Sequence, residues 1–280
     1  MPLFPQAALD YAPAIAILGV IGIVYGSFVC MAQSDLKRLI AYSSVAHLGF
    51  VMLGLSALTA EAASGAVLQM VNHGISTGAL FLMVGYLYER THTRDLAAYG
   101  GLAKVAPAIA ATFLVITLSS IGLPGTNGFV GEFLILIGTF TSKEIAGGPT
   151  LAVIAATGVI LGAVYMLWMY QRVFWGPERK AASHGVADLD AREWFTIAPL
   201  IVAIVWIGLY PQPLLAAVKE PVDAFVARVS KPEAPRPRQR AELPAVPVPA
   251  PAQDSTAPHI FLPQRAPMAR PPQPSAEPAK

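Results

Sequence analysis

Three ionisable side chains, His47, His73 and Glu132, stand in stretches otherwise almost free of charge, and a fourth, Lys37, opens one of those stretches from the charged run QSDLKR. Groups of this kind suit proton transfer. Burial disfavours the charged form of a carboxylate, a lysine or a histidine, and an opposite charge nearby favours it, so a small change in water or charge loads or unloads a proton. Other chemistries lack their signatures. The sequence has no Cys-x-x-Cys pair and no metal-ligand cluster. The glycines of GLPGTNG, residues 122–128, do not have dinucleotide-binding spacing and do not join a strand to a helix. The single cysteine, Cys30, sits in an apolar run and reads as a packing residue.

Spacing says which of these groups share a face. Lys37, Ile40, Ser44 and His47 follow one another at intervals of 3, 4 and 3, one side of a helix. Lys37 and Arg38 stand at the end of that helix, where they either snorkel to the interface or open a polar path. Gln69, His73, Ser76 and Thr77 fall at i, i+4, i+7 and i+8, with Asn72 and Gly74 flanking the histidine. An ionisable group within a membrane helix needs a partner or a water path, and a histidine in a polar stripe points to a proton-conducting role.

Glu132 belongs to the stretch around which the chain is organised, Pro107–Phe140, 34 residues with this one formal charge. A single helix of that length would reach roughly 50 Å, against a hydrocarbon core of about 30 Å. Gly122, Pro124, Gly125, Asn127 and Gly128 interrupt it. Proline removes a backbone donor and glycine weakens the helix. The expectation is two half-helices joined by an unwound GLPGTNG, a discontinuity tolerated only where protein or a water-filled cavity satisfies the backbone. Such breaks are where transporters place ions.

The rest of the chain supplies the frame. It has 280 residues, 55% of them hydrophobic and 13% charged. Apolar runs of near-spanning length recur, the mark of a polytopic membrane protein. A net charge of +2 argues against a nucleic-acid partner, and no secretory signal peptide is evident. The pattern predicts an all-α bundle of about six transmembrane helices over residues 14–210: Ala14–Met31, Leu36–Ala57, Ala63–Tyr88, the broken Pro107–Phe140, Thr150–Phe174 and Trp194–Leu209. Residues 1–13 read as a periplasmic lead-in loop and 211–231 as a post-membrane segment. Residues 232–280 read as a Pro/Ala-rich disordered tail unable to bury a core. Tyr165, Trp168, Tyr170 and Trp175 form an interfacial aromatic belt. Lysines and arginines concentrate in the first, third and fifth inter-helix loops, which the positive-inside rule places in the cytoplasm.

The stretches QSDLKRLIAYSSVAHLGFV, VNHGISTGALFLMVGYLYERTHTRDL and LPGTNGFVGEFLILIGTF resemble the C-terminal half of the subunit M family of bacterial NADH–quinone oxidoreductase, respiratory complex I (chain 4 in mitochondria), over about residues 1–225. The resemblance implies half of an antiporter-like fold of 14 helices in the bacterial inner membrane. Proton translocation there is coupled to electron transfer from NADH to quinone. It makes Glu132 the ionisable residue of the discontinuous helix on the exit side, and His47 and His73 members of a central hydrophilic axis. NADH, FMN, Fe–S clusters and quinone would be bound by other subunits, with no cofactor and no redox site on this chain. L-type and N-type subunits would be its neighbours, together with the lipid bilayer. Those relatives, and multi-subunit cation/proton antiporters, usually carry lysine in place of Glu132 and another within the stretch that here reads HGISTGALF, which favours subunit M. The alternatives are an antiporter or membrane-bound hydrogenase subunit, or a non-conducting structural bundle. The family's upstream half, with a second broken helix, a glutamate and two membrane lysines, has no match in this chain. That implies a truncated reading frame or a split gene, inactive in proton translocation alone.

Overall fold

The computed structural model describes residues 3–179 and 186–230. The tail expected over 232–280 lies outside them. Every regular element among the described residues is helical. Helix α1 spans Pro5–Met31, α2 Leu36–Ser56 and α3 Ala60–Thr91. A 3₁₀ turn at Leu96–Ala98 and the short α4, Leu102–Val105, lead into α5, Pro107–Ser120, and α6, Asn127–Phe140. Then come α7, Gly148–Phe174, α8, Ala191–Leu209, and α9, Gln212–Ser230.

Local chemistry sets the starts. The Asp35 side chain accepts from the Arg38 amide at 2.9 Å and caps α2. Thr59 caps α3 through the Ala62 amide. Asp190 and Glu193 form a reciprocal capping box at α8, satisfying two amides that the helix itself cannot. Proline stands in the first turn of α1, α5 and α7, where its missing donor costs nothing.

Helices α1, α2, α3, α7 and α8 are each long and apolar enough to cross a membrane. Helices α5 and α6 have 14 residues each, about 21 Å apiece, and cross only as a pair. The six expected crossings are therefore present, one of them broken. Large apolar side chains stay exposed along α1, α7 and α8, among them Leu18, Tyr25, Ile160, Val164, Val202 and Leu209. This is the surface that a chain dissolved in lipid presents.

One expectation needs correction and another gains detail. Residues 1–13 are not a loop throughout, because α1 begins at Pro5 and continues through Pro13. Pro5 is preorganised for a first helical position, and the Gln6 amide bonds Asp10 at 3.1 Å one turn on. The segment 211–231, for which no element was predicted, holds a helix, Gln212–Ser230. Val222 and Val229 are buried on it, Phe225 packs into the core, and the helix lies against α3 and α1. Its apolar residues recur at helical spacing, which length and mean polarity conceal.

The interior has two apolar cores. One gathers Leu39, Leu80, Leu87, Phe113, Ile116 and Phe174. The other gathers Ile23, Phe50, Leu53, Ala66 and Ile135. On two of the helices that enter both, the change from one core to the other is marked by polar residues: His47 on α2, and Gln69, Asn72 and Ser76 on α3. Thr117 and Ser119 near the end of α5, and Asn127 and Glu132 on α6, complete this buried polar layer.

Candidate functional site

The break between α5 and α6 runs from Ile121 to Thr126, shorter than the expected 122–128. Gly122 adopts φ +71° and Gly125 φ +93°, backbone conformations that favour glycine, with Pro124 in the turn between them. Asn127 and Gly128 are already the first turn of α6. Gly128 is needed for proximity, since a Cβ there would strike the Ser119 carbonyl oxygen. At Gly122 a Cβ would come 2.7 Å from Glu132 Oε2. The carboxylate thus lies against the unwound segment itself.

Glu132 is 5% exposed and His47 6%. Their side chains meet across α2 and α6: His47 Nδ1 lies 3.3 Å from Glu132 Oε1. Gln69 Nε2 donates to the same oxygen at 3.1 Å. The other ring nitrogen of His47 faces Ser120 Oγ at 3.4 Å. His73, half-buried, stands with its ring centroid 5.3 Å from that of His47, and its Nδ1 lies 3.0 Å from Thr77 Oγ1. Three of the four expected residues, Glu132, His47 and His73, are therefore brought together from three helices.

Lys37 is not among them. It is exposed at the start of α2, ten residues from His47 and so about 15 Å along the axis. The face it was expected to share is buried at Ile40 and His47 but leaves the packed interior before Lys37.

Beside this cluster lies a network that spacing does not reveal. Asn72 Nδ2 donates to the Asn127 carbonyl at 2.7 Å, and Asn127 Nδ2 donates back to the Asn72 carbonyl at 3.3 Å. Ser119 Oγ donates to Asn127 Oδ1 at 2.5 Å, and Ser76 Oγ lies 2.6 Å from Ser119 Oγ. Asn127 read as a helix breaker and Asn72 as a neighbour of His73. Their polarity within apolar helices was the available signal, because a buried amide demands partners. Between the network and the histidines lies a cavity of about 10 Å³, lined by His47, Gln69, Asn72, His73, Ser76 and Ser120 among others. That is room for on the order of one water. Gln69 Oε1 and Asn72 Oδ1, both buried, have no hydrogen-bond partner among the described residues.

Ser120, His47 and Glu132 have the connectivity of an acyl-transfer triad. A cavity of about 10 Å³ admits no acyl substrate, which leaves the set suited to moving protons. The run His73, His47, Glu132 leads from a half-exposed ring to a buried carboxylate. Every link in it is a group that both takes up and releases a proton.

The outer rim is fastened separately. Arg90 holds Glu193 through two hydrogen bonds of 2.7 and 2.6 Å, and its guanidinium also donates to the Ala187 and Asp188 carbonyls. The Asp188 carboxylate accepts from the Ala108 and Ile109 amides at 2.8 and 2.9 Å, capping α5. One loop thus ties α3, α5 and α8 together, and α5 carries Ser119 and Ser120 into the site.

The family model described as NADH:quinone oxidoreductase/Mrp antiporter, transmembrane, matches residues 1–167. The NADH-quinone oxidoreductase subunit M of Mycobacterium tuberculosis is 40% identical over 88% of this chain and 43% of its own length. The subunit M of Pseudomonas aeruginosa is 47% identical over 77% of this chain and 41% of its own. Among solved structures, respiratory complex I from Thermus thermophilus with bound NADH superposes with a TM-score of 0.75 at 34% identity. That match covers 80% of this chain and 46% of the other. The chain spans less than half the length of these relatives.

Proposed function

Because the chain belongs to the NADH:quinone oxidoreductase/Mrp antiporter transmembrane family, we propose that it forms part of the membrane arm of a proton-translocating NADH–quinone oxidoreductase. In that arm, electron transfer from NADH to quinone drives protons across the bilayer. One observation carries this reading: a carboxylate buried against the break of a discontinuous membrane helix, paired with a histidine and held by a glutamine. Glu132 is the proton-holding group, His47 exchanges protons with it, and His73 connects the pair to the half-exposed side. Gln69 and the Asn72–Asn127 network keep the two half-helices in register.

NADH, FMN, Fe–S clusters and quinone fall to other subunits. The neighbours are L-type and N-type subunits, and the membrane is the bacterial inner membrane. The loops after α1, α3 and α7 face the cytoplasm, and α9 lies on the opposite face. The family also contains cation/proton antiporters, so the second reading is an antiporter subunit.

The test is Glu132→Gln in the assembled complex. Proton pumping driven by NADH should fall by about tenfold or more, as on loss of a positioned proton-transfer group, while the complex still assembles. Pumping at the wild-type rate would remove Glu132 from the pathway. A cation gradient coupled to protons in proteoliposomes without NADH would favour the antiporter.

A further inference from the structure

Lys37 has no role in the buried cluster, and its surroundings suggest a different one. It stands at the mouth of a groove of about 470 Å³, lined by Lys37, Phe81, Val84, Gly85, Tyr88 and Arg94. The groove runs between the start of α2 and the last turns of α3. Its floor is apolar and its charged groups are confined to one end. Lys37 makes no ion pair among the described residues. Arg94 has a loose contact with Asp35, Nε to Oδ2 3.5 Å, and lies 5.7 Å over the Tyr88 ring. The Asp35 carboxylate also caps α2, so its charge is shared between a helix terminus and Arg94. At Gly85 a side chain would meet nothing within 4 Å, which leaves the floor open along its length.

The geometry points to a binding site for one anionic phospholipid of the surrounding bilayer. Its phosphate sits between Lys37 and Arg94, and an acyl chain lies over Phe81, Val84 and Gly85. Charge complementarity selects this occupant. Cations at the end of a membrane helix attract the anionic lipid surface, and the apolar floor below them matches a hydrocarbon tail. A zwitterionic lipid offers the same tail without the net charge. A free phosphate offers the charge without the tail. A helix covering the groove would have to leave Lys37 without a counter-charge or supply a carboxylate. The site does not depend on the proton-transfer reading.

The experiment places the full chain in nanodiscs of equal phosphatidylglycerol and phosphatidylcholine and measures retained lipid by native mass spectrometry. Wild type should retain phosphatidylglycerol over phosphatidylcholine. The double variant K37Q with R94Q should lose that preference, by roughly fivefold for each cation removed. The substitution G85L, which fills the floor and leaves both charges, should lower the amount of lipid retained. Lys104→Gln, an exposed cation outside the groove, should leave retention as in wild type. No preference in wild type, a preference surviving in the double variant, or full displacement by millimolar inorganic phosphate would each overturn the site.

Discussion

At the scale of single residues, the buried polar layer depends on Asn127. Its side-chain amide accepts from Ser119 and donates to Ser76 and to the Asn72 carbonyl, so three elements converge on one group. Asn127→Ala removes all of these bonds and leaves Ser76 and Ser119 only each other as partners, at a cost of about 2 kcal/mol. Denaturant titration of the detergent-solubilised protein should show the loss, and an unchanged midpoint would contradict the assigned network. The ionisable members were legible from sequence. A charged or protonatable residue in an apolar helix announces itself, and Gln69 and His73 fall on one face by counting. Asn72, Ser119 and Asn127 were not legible as a network, since their bonds run between helices and no periodicity within one helix encodes them. Lys37 misled for a related reason. Periodicity places a residue around a helix but does not say where along the axis the packed interior ends.

At the scale of elements, the break between α5 and α6 was legible from its glycines and proline, but not the job of each. Gly122 is constrained twice, by its positive φ and by the Glu132 carboxylate oxygen beside it. Gly125 is constrained once, because its φ is positive but only the end of the Leu209 side chain lies near a Cβ there. Gly125→Ala should therefore cost the backbone term alone, about 1 kcal/mol. Gly122→Ala should cost more and also displace Glu132, so proton pumping should fall for Gly122→Ala and be largely kept for Gly125→Ala. Equal effects on pumping would mean that the carboxylate does not depend on this contact. Helix α9 escaped the sequence reading because it is amphipathic and less apolar than the spans. Its burial against α3 and α1 is a matter of tertiary contact.

At the scale of the whole molecule, six crossings and the break followed from hydropathy and length, whereas the fastening of their ends did not. Arg90 and Glu193 lie 103 residues apart and meet only because α3 and α8 end side by side. Arg90→Ala leaves the largely buried Glu193 carboxylate uncompensated, worth about 3 kcal/mol. It also frees the loop whose Asp188 caps α5. Hydrogen exchange should then quicken at the Ala108 and Ile109 amides, read by mass spectrometry of the α5 peptide. Protection equal to wild type would show that Asp188 holds α5 without Arg90.

The polar layer between two apolar cores also has an electrical meaning. Hydrocarbon-like regions sustain most of a membrane voltage, so the two cores act as insulating slabs in series and the layer between them is an intermediate terminal. Carrying one elementary charge across the whole membrane involves about 2.3 kcal/mol per 100 mV. On the proposed pathway, a proton held at Glu132 has crossed one slab only, roughly half of that work. On that pathway, passage through the carboxylate responds to the voltage across the membrane as well as to the acidity on either side. A respiring cell sets that voltage itself.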